Sequence, residues 1–193
     1  MPPSAIEAAA AESELIREAL EMADRAHQGQ TRSGSGGMAY IHHPVAVAEL
    51  LAGHGFGEQT VAAALLHDVV EDSEASIEDI RGGFGEPVAG LVGALTDDER
   101  IEPYERRKAE HRERVAAAGP EALAIYGADK LSNVRVLRRA YAQDESAGDE
   151  FKVPLDTKEQ IWRDDLAMLR EEAPQLPFLD DLEAELALLV TRL

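Results

Sequence analysis

The 193-residue chain contains no cysteine. Disulfides, thiolate-ligated zinc and a cysteine nucleophile are therefore excluded. Positive charge is also scarce: 19 basic side chains face 38 acidic ones, for a formal net charge of −19. Such a surface repels phosphate backbones, so no nucleic-acid partner is expected. Any anionic substrate must then be met by a local positive feature, such as a metal ion or a cluster of cations. No stretch approaches the roughly 20 consecutive apolar residues that span a bilayer. Met1-Pro2-Pro3-Ser4 leads to Glu7, Glu12 and Glu14 rather than to a basic segment and an apolar run. No membrane partner and no signal peptide are expected, and the sequence reads as that of a soluble, cytoplasmic protein.

Hydrophobic residues make up 45% of the chain, enough for a core and too many for a disordered polyelectrolyte. The length suits one domain over residues 1–193. Helical spacing dominates, with no internal repeat and no clear alternating strand. Leu15, Ile16, Ala19, Leu20, Ala23 and Ala26 recur at three- and four-residue steps, which predicts one amphipathic helix from Ala5 to His27. A glycine- and serine-rich loop follows, flanked by pieces that could form a short hairpin. Pro44 opens the next helix, which ends near Gly53 and Gly55. Thr60 to Val70 is nearly all apolar and belongs in the middle of a bundle. Ser76 with Asp79 predicts a capped short helix to Arg81, and a further helix runs from Glu86 to Leu95. The segment Pro103–Ala118 is highly charged, and its Arg106-Arg107-Lys108 run reads as a solvated helix face, with a pocket-facing run as the alternative. Pro120 starts another helix. After the polar stretch Gln143–Asp149, helices near Leu155–Glu172 and Phe178–Arg192 complete an all-α single domain. Trp162 is expected to pack among these last helices, and His54 and His111 to be exposed.

Chemistry concentrates at one point. Leu65-Leu66-His67-Asp68-Val69-Val70-Glu71-Asp72 places four polar groups at the end of the most apolar helix. His67 and Glu71 are four apart, as are Asp68 and Asp72, so each pair shares a helical face. A buried carboxylate without a partner costs several kcal/mol, which points to a divalent cation bound by imidazole and carboxylate. Two neighbouring ligands are too few. Tyr40-Ile41-His42-His43-Pro44 supplies His43 at a helix start, and Ala128-Asp129-Lys130-Leu131-Ser132-Asn133 supplies Asp129 and Asn133 four apart.

His43, His67-Asp68 and Asp129, in this order, resemble the H…HD…D metal site of the HD phosphohydrolases. The finer resemblance is to the hydrolase domain of the RelA/SpoT enzymes and their small stand-alone relatives of the metazoan SpoT homologue type. It rests on Ala26-His27-Gln28-Gly29-Gln30-Thr31-Arg32, Tyr40 to Pro44, Ala63 to Asp72 and Ala128 to Asn133. The similarity covers about residues 15–140. It implies an HD-type helical bundle and one metal, usually manganese, held by His43, His67, Asp68 and Asp129. It implies further that Glu71 and Asp72 position and deprotonate the attacking water. Arg32 and Asn133 would help to hold a nucleotide, and Lys130, beside Asp129, could reach a phosphate. The implied reaction removes pyrophosphate from the 3′ position of (p)ppGpp. Two alternatives stay open: the same chemistry on NADPH or a nucleoside phosphate, and a catalytically silent nucleotide-binding module. His42 reads as a neighbour and His27 as support for the Arg32 loop. The oligomeric state is not legible.

Overall fold

The structure, a computed structural model, describes residues 3–32, 37–143 and 153–190. Ten helical elements run through these residues: α1 Ala5–Glu12, α2 Glu14–Ala26, α3 His42–Gly53, α4 Glu58–Leu66, α5 Val69–Asp72, α6 Ile77–Leu95, α7 Tyr104–Ala118, α8 Pro120–Gln143, α9 Leu155–Glu172 and α10 Leu179–Val190. The all-α expectation holds. The hairpin reduces to a single antiparallel bridge between Thr31 and Ala39. Loop residues 33–36, the polar stretch 144–149 and the end of the last helix lie outside the described residues. No helix among the described residues is long and apolar enough to cross a membrane.

Three boundaries differ from the sequence reading, each for a local reason. The first helix is two, because Ser13 leaves the helical conformation (φ −122°, ψ 121°) and caps α2 by accepting from the Ile16 amide. The apolar helix stops at Leu66, short of Val70. His67 Nδ1 takes up the Ala64 carbonyl oxygen at 2.7 Å, on the turn where the helical ladder would continue, and the backbone turns before α5 begins. The two helices expected around Gly85 form one run, kinked where that glycine adopts φ 81°. The predicted Ser76–Asp79 capping box is present.

Every residue of α4 from Thr60 to Leu66 is buried, and α4 packs against α2, α3, α6 and α8. Burying its Val61, Leu65 and Leu66 contributes roughly 1.5–3 kcal/mol each. This helix is the axle of the fold, and its C-terminal end delivers His67 and Asp68. Long α8 crosses α3, α6, α7, α9 and α10. At Gly127 it comes so close to the C-terminal helices that an added Cβ would lie 3.1 Å from Phe178 and 3.3 Å from Leu169.

Candidate metal centre and phosphate cavity

Two helix ends and one helix face meet at the cluster. His43 comes from the first turn of α3, His67 and Asp68 from the turn after α4, and Asp129 from the inward face of α8. His43 Nε2 lies 3.1 Å from Asp129 Oδ1 and 3.5 Å from Asp68 Oδ2. His67 Nε2 lies 3.2 Å from Asp68 Oδ1 and 3.9 Å from Asp129 Oδ1. Ligand-competent atoms of His43, His67 and Asp129 all fall within 4.8 Å of one another.

The supporting bonds orient these groups. Because His67 Nδ1 donates to the Ala64 carbonyl, Nε2 keeps a bare lone pair, buried and without a hydrogen-bond partner. His43 Nδ1 lies 3.1 Å from Ser132 Oγ, and the Tyr40 hydroxyl donates to Asp68 Oδ2 over 2.8 Å. Tyr40 also stacks on buried His27, with ring centroids 4.7 Å apart, and His27 Nδ1 faces Gln30 Oε1 at 2.8 Å. His27 thus supports the start of the Arg32 loop, and His42 is exposed. Two imidazole nitrogens and two carboxylates converging on an unsatisfied buried lone pair are the donor set that a borderline or hard divalent cation takes. The cluster fits a metal.

Asp129 is tied on both oxygens: Oδ2 accepts from Lys130 Nζ at 2.8 Å and Oδ1 from Asn133 Nδ2 at 2.6 Å. Asn133 in turn accepts from the Arg32 guanidinium. Burial works to raise the Asp129 carboxyl, but the Lys130 ammonium, then His43 and His67, hold it well below the usual carboxylate range. Glu71 and Asp72 stand one turn beyond the HD pair, with outward edges exposed. Burial nevertheless pushes the Glu71 carboxyl up to about 7. The Asp97 amide that donates to Glu71 Oε1 opposes the rise, Asp68 and Asp97 reinforce it, and Lys108 opposes it. Asp72 is raised too, by burial and then by Asp68.

Beside the cluster opens a cavity of about 190 Å³. Arg32, Lys130 and Asn133 line it, as the sequence suggested, and so do Lys108, Lys158 and Trp162. Four cations and one carboxylate, Asp165, line this small cavity, a local excess of positive charge in a chain of net charge −19. A larger cleft of about 620 Å³ lies by the N-termini of α4 and α8, but its lining includes Glu58 and Glu121 and no cation. The polar chemistry belongs to the smaller cavity.

Here one alternative left open by the sequence is resolved and one expectation fails. The Arg107-Lys108 part of the basic run is not a solvated face: Arg107 Nε lies 3.2 Å and Lys108 Nζ 2.7 Å from Asp97 Oδ2, and only Arg106 points outward. His111 is buried, not exposed, with its ring edge against Tyr126, and burial, then Lys130 and Lys108, push it down to about 3. The missed signal was the spacing of Tyr104, Lys108, His111 and Val115, four, three and four apart, which marks an inward stripe. Lys158 was missed outright, and Trp162, expected only to pack, also lines the cavity. Neither carries a local motif, and only the docking of α9 brings them in.

A family model described as HD domain matches residues 19–152. The chain belongs to the HD domain family. This HD protein is 37% identical over 131 residues to the human guanosine-3′,5′-bis(diphosphate) 3′-pyrophosphohydrolase MESH1, covering 66% of the chain and 72% of that relative. To the GTP pyrophosphokinase of Streptomyces coelicolor it is 40% identical over 126 residues, 64% of the chain, but it spans only 15% of that longer protein. Among solved structures, one described as a metazoan orthologue of SpoT that hydrolyses ppGpp and plays a role in starvation responses superimposes with a TM-score of 0.73. Identity there is 31%, over 91% of this chain and 97% of the other. The crystal structure of lmo0812 from Listeria monocytogenes matches with a TM-score of 0.67 and 33% identity, over 75% of this chain and 96% of that one.

Proposed function

We propose that this HD protein is a manganese-dependent, cytoplasmic phosphohydrolase that removes pyrophosphate from the 3′ position of ppGpp or pppGpp. One observation carries the reading: a cavity walled by Arg32, Lys108, Lys130 and Lys158 adjoins a buried two-histidine, two-carboxylate cluster. Phosphate chains need the first and their hydrolysis the second. The activities named for the human MESH1 relative and the superimposed SpoT orthologue support the same chemistry.

His43, His67, Asp68 and Asp129 would hold the cation, which when bound supplies Lewis acidity toward a phosphoryl oxygen and acidifies water. The other steps belong to the chain. Arg32, held by Asn133, and Lys130, held by Asp129, bind and orient the phosphates as charge-assisted donors. Glu71, with Oε1 fixed by the Asp97 amide, takes a proton from the attacking water on its other oxygen, Oε2. A base titrating near neutrality is well matched to that transfer. Asp72, raised but less deeply set, orients the same water. A silent binding module would have no use for this base beside the cluster.

The reading is tested by incubating purified protein with Mn²⁺ and, separately, ppGpp, pppGpp, NADPH and common nucleotides, and measuring released pyrophosphate and phosphate. Pyrophosphate from the guanosine compounds is expected. Phosphate from NADPH alone would move the activity to that substrate, and no release from any of them would leave a binding module.

A further inference from the structure

Asp97 joins the two halves of the site, yet the chemistry above uses only its backbone amide. It follows the C-terminus of α6, where Arg114 clamps the chain by donating to the Ala94 and Thr96 carbonyls at 3.1 and 2.6 Å. The backbone is therefore fixed just where the Asp97 amide reaches Glu71. Its carboxylate turns the opposite way, into α7. The side chain is 9% exposed; it accepts a hydrogen bond from Lys108 Nζ at 2.7 Å and forms an ion pair, without a hydrogen bond, with Arg107 Nε at 3.2 Å. Neutral His111 stands 3.9 Å off the other oxygen and adds no charge.

One carboxylate facing two cations leaves an excess positive charge. Arg107 and Lys108 both lie against the Tyr104 ring, 5.2 and 5.4 Å from its centroid, but Arg107 does not line the cavity. Lys108 does line it, with a side chain only 19% exposed. A lysine has four rotatable stem bonds and loses rotamer entropy when fixed. A fixed anion behind the ammonium meets that cost before any ligand arrives.

We propose that Asp97 is a positioning residue that holds the Lys108 ammonium toward the cavity as a phosphate-binding group, at a set distance from Glu71. One residue then registers the phosphate wall against the base: its carboxylate sets Lys108 and its amide sets Glu71. The choice of nucleotide rests on the phosphohydrolase reading; the anion-binding role of the Asp97–Lys108 pair does not.

The test is a double-mutant cycle read by calorimetry with inorganic pyrophosphate in chelator-treated buffer, so that the chain's own cations do the binding. Parent, Asp97→Asn, Lys108→Met and the double variant are compared, with folding checked by thermal melting. Asp97→Asn is expected to weaken pyrophosphate about tenfold, the scale of one charge-assisted hydrogen bond. Lys108→Met should cost at least as much, and Asp97→Asn should cost nothing further in the Lys108→Met background. If Asp97→Asn does not fold, Asp97→Glu, which keeps the charge but displaces the ammonium, should show a smaller loss that also vanishes without Lys108. Losses that add independently would reduce Asp97 to a structural tie. Tighter binding by Asp97→Asn would make it a neutraliser of Lys108, and a parent that ignores pyrophosphate would end the proposal. Failure to hydrolyse any guanosine substrate would remove the functional reading and leave this cycle to decide for itself.

Discussion

The Tyr40 hydroxyl donates to Asp68 Oδ2 over 2.8 Å, linking the loop that carries Arg32 to the HD turn. With His27 stacked on its ring, Tyr40 has little freedom to release that oxygen. Such outer partners commonly tune metal affinity by about 10- to 100-fold. Tyr40→Phe should fold normally and bind Mn²⁺ weaker by that factor. Unchanged affinity in a metal titration would show that Asp68 is held by its neighbours alone.

The roles of base and ligand separate by substitution. Glu71→Gln with Asp72→Asn keeps shape and hydrogen bonds but removes the basic oxygens. At saturating Mn²⁺ the double variant should retain metal and nucleotide yet lose about 10²–10⁴ in turnover. Turnover near the parent's would leave both as a polar helix end.

Glu71 also sets a pH dependence. A base whose carboxyl titrates at about 7 is ionised only above that value, so activity should fall along an acid limb near or, with a cation bound beside it, below 7. Lys108→Met should move the limb to higher pH, because the lysine charge favours the ionised carboxylate. Stability runs the other way. Between the ordinary value of 4.5 and 7 the folded protein binds more protons at Glu71 than the unfolded chain, so this group lowers stability as pH rises through that window. A limb unmoved in Glu71→Gln would assign the titration elsewhere.

Arg32, proposed to hold substrate, lines the cavity and bonds Asn133. Arg32→Ala should lower kcat/KM by an amount equivalent to about 1–3 kcal/mol without releasing the metal. Kinetics unchanged at low substrate would return Arg32 to a purely structural bond with Asn133.

Asp165 tests the frame behind the cavity. Fully buried on α9, it accepts from Tyr126 at 2.9 Å on α8 and from Arg112 at 3.0 Å on α7. Asp165→Ala would strand the Tyr126 hydroxyl and leave Arg112 only Asp164, 3.6 Å away, and should cost about 3–5 kcal/mol in urea unfolding. A loss below 1 kcal/mol would show that water replaces the carboxylate.

Much of the site was legible because it lies in short, ordered motifs. His43, His67, Asp68 and Asp129 announce themselves by residue type and by position at the ends or inner faces of helices, and the structure brings them together. The turn after Leu66 was not legible, since it depends on the His67 ring choosing the Ala64 carbonyl over the helical ladder. The break at Ser13 was equally hidden: Ser13 Oγ also donates to Glu58 at 2.7 Å, a contact 45 residues away in sequence. In α7 the alternation of charges masked the inward stripe, because half-buried Lys108 and buried His111 look like surface residues until Asp97 and Tyr126 are placed against them. Lys158 and Trp162 reach the cavity through helix docking, which no local pattern encodes.

Gly127 stands two residues before Asp129 and lets α8 press against Leu169 of α9 and against Phe178. Helix α9 also carries Lys158 and Trp162, so the gap between the cation-lined wall and the carboxylate cluster is gauged by a methyl group that is not there. Even a methyl group at this position would require Leu169 or Phe178 to give way by a few tenths of an ångström. The seating of α9, the helix that brings Lys158 and Trp162 to the cavity, thus depends on the smallest residue of α8.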